Sequence, residues 1–181
     1  MEPDAASAAR YSRGAIAFHW AIALLIIANF LIAWRAEDLP KPEAYGVMAY
    51  HKAIGITVLL LTVGRIVWRL THRPPPLLES LKAWEAALAK VTHALFYILM
   101  IAVPVAGWGL HSAYGAKPVS LFGVIDFPAL PVGQDKATAG LFHELHEIFA
   151  TLMLALFVLH VLAALKHQFI DRDGTLRRIT P

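Results

Sequence analysis

Four long apolar runs constrain this chain more than any other feature: about Ala15 to Trp34, Ile54 to Trp68, Ala94 to Leu110 and Phe149 to Leu165. A hydrocarbon core about 30 Å thick takes about 20 helical residues to cross, and flanking residues extend each run to that length. Inside lipid every backbone N–H and C=O must find a partner within the protein, so a run of this kind folds as a helix. The composition agrees, with 58% hydrophobic and 16% charged residues among 181, against about 45–50% and about 25% in soluble domains. The first run follows Arg10 and Arg13 as a signal peptide would, but its core is too long and no small-residue cleavage site precedes Trp34-Arg35. The sequence therefore predicts an all-α integral membrane protein. It is a single four-transmembrane-helix bundle over residues 1–181, with helices at about 15–34, 51–70, 92–110 and 142–168.

Charge sets the expected orientation. Arg10 and Arg13 precede the first run, and Arg65, Arg69, Arg73, Lys82 and Lys90 surround the middle connector. The tail holds Lys166, Arg172, Arg177 and Arg178, whereas segments 36–50 and 111–142 offer only Lys41, Lys117 and Lys136. The positive-inside rule then puts both termini in the cytoplasm of a bacterial inner membrane. The net charge of +3 is topological, its nearest counter-charge is anionic lipid, and no nucleic acid is needed to explain it.

The connectors carry further expectations. Residues 1–13 read as a disordered start. Pro74-Pro75-Pro76 stops the second helix, and Leu77 to Val91 suits a short separate helix in the membrane interface. The Gly- and Pro-rich stretch from His111 to Gly140 folds back over the outer surface, and Pro104 predicts a kink or widened turn in the third helix.

Histidine carries any metal chemistry, because there is no cysteine and hence no iron–sulfur cluster, thiolate zinc site or covalent haem. An ionisable residue in a membrane span is costly and points to function. His146 and His160 lie fourteen residues apart, which at about 100° and about 1.5 Å per residue leaves them within about 40° of one face and about 21 Å apart in depth. His19 lies about a turn into the first helix on the cytoplasmic side, and His51 opens the second helix on the outer side. Depth thus pairs His51 with His146 and His19 with His160. Two cross-bundle pairs at two depths are what bis-histidine ligation of two b-type haems requires.

His72, His93, His111 and His143 read instead as polar neighbours of the headgroups. A zinc site at His143, His146 and Glu147 lacks the zincin spacing. Phe18, Trp20, Phe149 and Phe157 suit a porphyrin edge or ordinary bundle core equally.

The chain resembles the bacterial cytochrome b561 family, whose described members include a superoxide oxidase that feeds ubiquinone. The resemblance lies in YSRGAIAFHW at Tyr11 to Trp20, the His51 segment, GRIVWRL at Gly64 to Leu70, VPVAG at Val103 to Gly107, LHE, LHVLAALKH and the DGTLRRITP tail. It implies four transmembrane helices, two haem b groups, and His19, His51, His146 and His160 as axial ligands. It also implies a quinone near the inner surface at His167. His167 stands seven residues beyond His160, within about 20° of the same face and about 10 Å nearer the cytoplasm, while Arg65 and Arg69 are at a depth to hold haem propionates.

The function expected is electron transfer between an outer-surface donor and membrane quinone, with ubiquinone as acceptor. The donor fits a small anion such as superoxide, drawn by Lys52, Arg35, Lys117 and Lys136, although Glu37, Asp38, Glu43, Asp126 and Glu144 share that side. No obligate protein partner is evident. The competing readings are a membrane-anchor cytochrome b subunit of a hydrogenase or formate dehydrogenase, and a haem-free permease or metal transporter.

Overall fold

A computed structural model describes residues 10–78, 81–115 and 117–181. Its elements run in the order α1 (Arg13–Glu37), α2 (Lys41–Thr71), α3 (Ala83–Ala113), β1 (Val119–Leu121), β2 (Ile125–Phe127) and α4 (Lys136–Lys166). A π-helical turn follows at His167–Asp171 and a 3₁₀ turn at Leu176–Arg178. All four α-helices are long and apolar enough to cross a membrane, so the chain is an integral membrane four-helix bundle. Most of the expected disordered start lies outside the described residues. Its end is ordered, since Ser12 Oγ accepts from the Ala15 N–H at the head of α1. Asp135 caps α4 the same way, its carboxylate accepting from Ala137 and Thr138 at 2.9 Å.

The helices outrun the apolar stretches at both ends. With 31 residues, α3 is about 46 Å long and projects beyond a core of about 30 Å. Two expectations fall with this. The separate interfacial helix expected over Leu77 to Val91 is replaced from Ala83 onward by α3 itself, residues 79 and 80 lying outside the described ones. AWEAALAKV contains good helix formers and no breaker before His93, so nothing stops the helix at the membrane boundary. His51 likewise does not open α2, which begins ten residues earlier at Lys41 with Pro42 in its first turn, where a missing N–H costs nothing. Pro104 sits inside an uninterrupted α3.

The bundle is two hairpins. α1 packs along α2 and α3 along α4, the hairpins meet through α2 and α3, and α4 has no comparable backbone packing on α1 or α2. Between the hairpins lies one apolar layer of Ile22, Ile54, Val58, Leu99, Met100 and Met153. Leu24, Leu31, Val67, Ile98 and Leu162 point outward and are exposed, as a helix face meeting lipid should be. The one fully buried hydroxyl on α2, Thr62, donates to the Val58 carbonyl at 2.7 Å, which removes the penalty of an unpaired polar group in that setting.

One end of the bundle gathers both termini and the α2–α3 connector. The indole of Trp20 donates to the Ile179 carbonyl at 2.8 Å, the Tyr11 N–H to the Arg178 carbonyl at 3.1 Å, and Arg178 to the Pro76 carbonyl at 2.7 Å. At the other end β1 and β2 pair antiparallel, and β1 packs on α2. This segment is pinned to α3 through Trp108 Nε1 to the Pro128 carbonyl and the Leu130 N–H to Ser112 Oγ, both 2.9 Å.

Candidate haem-binding layers

The histidines fall into two layers on either side of the apolar one, Met153 being seven residues from both His146 and His160. In the layer nearer the β-hairpin, His51 of α2 faces His146 of α4 with ring centroids 6.0 Å apart. Nδ1 of His51 lies 3.3 Å from the Asn29 carbonyl, and Nδ1 of His146 lies 2.9 Å from the Val103 carbonyl. A carbonyl only accepts, so each neutral ring carries its proton on Nδ1 and presents a bare Nε2, the arrangement metal-bound histidines adopt. Gly107 makes this possible, since a Cβ there would stand 2.9 Å from the His146 ring. The Asn29 side-chain oxygen is buried without a partner among the described residues. Its only mark in the sequence is that it interrupts the first apolar run.

In the layer nearer the termini, His160 of α4 lies 6.3 Å from His19 of α1 and 6.0 Å from His93 of α3, centroid to centroid, with Phe96 edge-on at 5.3 Å. Arg65 Nη2 reaches His19 Nδ1 at 3.3 Å. The guanidiniums of Arg65 and Arg69 stand 5.6 and 6.0 Å from the Tyr97 ring centroid, within cation–π range. The presence of His93 corrects its reading as a headgroup neighbour. With α3 starting at Ala83 it is three turns inside the helix and level with His160.

Metal–imidazole bonds of about 2.0–2.1 Å, with about 1.1 Å more from nitrogen to ring centre, place two rings about 6.3 Å apart across one metal ion. Three ring pairs meet this distance, and of these His93 and His160 alone come from helices packed along each other. His51–His146 and His19–His160 each join two helices, α2 with α4 and α1 with α4, whose backbones do not pack on each other, and this fits a flat group between them.

The remaining histidines go elsewhere. His72 stacks on Trp68 at 3.9 Å, and Nε2 of His111 donates to the Lys117 carbonyl at 2.9 Å. His143 is exposed beside Glu147 while His146 points inward, so no zinc triad forms from these three. His167 lies two turns past His160, half-buried among carboxylates. Its Nδ1 is 2.7 Å from Asp173 and 3.1 Å from Asp171. Burial alone would raise the Asp173 carboxyl, but hydrogen bonds from Thr175 and His167 outweigh it and hold the group below the usual carboxylate range.

The profile of the prokaryotic cytochrome b561 family matches residues 10–181. The chain belongs to that family. Among the similar proteins, cytochrome b561 homolog 2 of Escherichia coli (strain K12) is 34% identical over 172 residues, covering 94% of this chain and 90% of that protein. The probable superoxide oxidase CybB of Yersinia pestis is 31% identical over 176 residues, 95% of this chain and 96% of the relative. Cytochrome b562 of Cereibacter sphaeroides is 29% identical over 178 residues, 93% and 94%. As a member of the cytochrome b561 family, the chain is a bacterial membrane b-type cytochrome that binds haem b and transfers electrons.

Proposed function

We propose that this cytochrome is a stand-alone dihaem protein moving electrons from a donor at the β-hairpin end to quinone at the end that holds the termini. His51 and His146 hold the outer haem, and His19 and His160 the inner one. The observation that carries this reading is the spacing of the two ring pairs, 6.0 and 6.3 Å, each bridging two helices that do not pack on each other. A haem held by two imidazoles supplies a one-electron iron couple.

The chain's own residues do the rest. Asn29 and Val103 fix the outer rings through their carbonyls. Arg65 only donates, so its contact with His19 Nδ1 leaves that ring's proton on Nε2. Arg65 and Arg69 are the residues that would hold the haem carboxylates, and with Arg65 so engaged His19 would be free to carry its proton on Nδ1 and offer a bare Nε2. His167 meets a ubiquinone carbonyl, and membrane lipid surrounds both layers.

Superoxide as the donor is supported by the name of the Yersinia pestis relative. It also draws on Lys52, adjacent in sequence to His51, which is positive charge beside the outer layer. The test is a reduced-minus-oxidised spectrum of the purified protein with haem quantified per chain, followed by titration with superoxide, quinol and ascorbate. About two low-spin haems per chain, reduced by superoxide and reoxidised by a ubiquinone analogue, is the expected result. A single haem ends the dihaem reading.

Two predictions arise here. We place the termini in the cytoplasm of the inner membrane, so a reporter fused after Pro181 is expected inside and one inserted at Gly133 outside. The reverse labelling would put quinone and donor on the wrong sides. His167→Ala is expected to keep both haems and their reduction by an external donor while reoxidation by a quinone analogue slows, since losing one hydrogen bond costs about 1–3 kcal/mol of quinone binding. Stopped-flow reoxidation with an unchanged rate and half-saturation would remove His167 from the site.

A further inference from the structure

The chain leaves α4 along an unusual path. After the π-helical turn His167–Asp171, Arg172 takes φ 53° and Gly174 φ 79°. The left-handed region is natural for glycine but uncommon for arginine, so surrounding contacts must hold Arg172 there. The outcome of this path is that Asp173 comes back against the ring six residues before it, Oδ2 lying 2.7 Å from His167 Nδ1. The other carboxylate oxygen, Oδ1, accepts the Thr175 N–H at 2.8 Å. Both oxygens are therefore engaged, and the side chain is only 10% exposed.

Asp171 is in a different situation. Its carboxylate is shared with the Lys166 ammonium, which also reaches Glu85 of α3 at 3.1 Å. Lys166 thus takes up much of the charge of Asp171, whereas Asp173 faces the imidazole and one backbone N–H. Nε2 of His167 has no partner among the described residues. A carboxylate accepting from Nδ1–H fixes the plane of an imidazole and stabilises the ring that carries a proton on each nitrogen, whose Nε2–H can then donate to a carbonyl oxygen.

We propose that Asp173 is the positioning residue of the quinone site, holding His167 by Nδ1 so that Nε2–H is presented to a quinone carbonyl. This rests on the reading of His167 as the quinone contact. The role belongs to Asp173 rather than Asp171, because only Asp173 is held at both oxygens and without a lysine. The ligand class is a quinone headgroup with an accepting carbonyl.

The test uses the full-length, haem-loaded protein in detergent or liposomes with a short-chain ubiquinone analogue. Asp173→Asn keeps the shape and the Thr175 contact but removes the charge. It is expected to raise the half-saturation for the analogue about 10-fold, with the haem spectrum, haem content and rate of reduction by an external donor unchanged. Asp171→Asn should raise it by less, and Asp173→Glu should recover part of the loss.

A wild-type half-saturation in Asp173→Asn alongside an impaired His167→Ala overturns the Asp173 assignment and leaves the quinone reading intact. Wild-type behaviour of His167→Ala overturns that reading as well. Loss of haem or a lowered melting temperature in Asp173→Asn would show that the carboxylate only supports the fold, and would also overturn the proposal.

Discussion

Purified with His51 or His146 replaced by alanine, the cytochrome is expected to carry about one haem per chain rather than about two, because a single imidazole left in a pair binds haem weakly. The two variants should be indistinguishable in this respect, since the rings face each other at 6.0 Å and neither has another imidazole in ring contact. The surviving haem should keep its low-spin spectrum. Ile22, Ile54, Val58, Leu99, Met100 and Met153 fill the space between the layers, and a change on one side of such a packed layer leaves a site with no shared partners nearly unaffected. Equal loss of both haems in either variant, with the protein still folded, would refute the layering. Haem content by pyridine haemochrome and the split of the reduced α-band make the measurement.

The levels of His146 and His160 along α4 were legible because they depend only on helical rise. Fourteen residues between His146 and His160 fix two levels on α4 whatever the rest of the fold does. Sideways position was not legible. His93 is set apart by nothing in its local sequence, and bounding α3 by its apolar run put that residue at a helix end. The helix continues through AWEAALAKV because helix propensity and backbone hydrogen bonding do not stop where lipid does. The same reasoning moved His51 ten residues into α2.

The tail was least legible. Gly174 marks a turn in the sequence, but that Asp173 meets His167 follows from the π-turn and the left-handed Arg172, which tertiary contacts impose and no periodicity announces. Arg178 is another such case. A basic tail residue by sequence, it is 7% exposed in the structure and ties the C-terminus to the Pro76 carbonyl of the α2–α3 connector.

At the inner layer the largest effect is expected from His160→Ala, which removes the imidazole facing both His19 and His93. The inner haem should be lost and reoxidation by quinone abolished, while an external donor still reduces the outer haem. The two possible partners of His160 then separate by single substitution. Ring spacing does not choose between them, since 6.3 and 6.0 Å both suit a shared metal ion. We propose His19, because α3 packs directly along α4 whereas α1 has no comparable packing on it, and a flat group between two rings needs helices set apart. His19→Ala should therefore reproduce the haem loss of His160→Ala. His93→Ala should keep about two haems per chain and change the inner one only in potential or band position, as a neighbour rather than a ligand would. A His93→Ala protein that has lost one haem, beside a His19→Ala protein that keeps both, would move the inner ligand from α1 to α3.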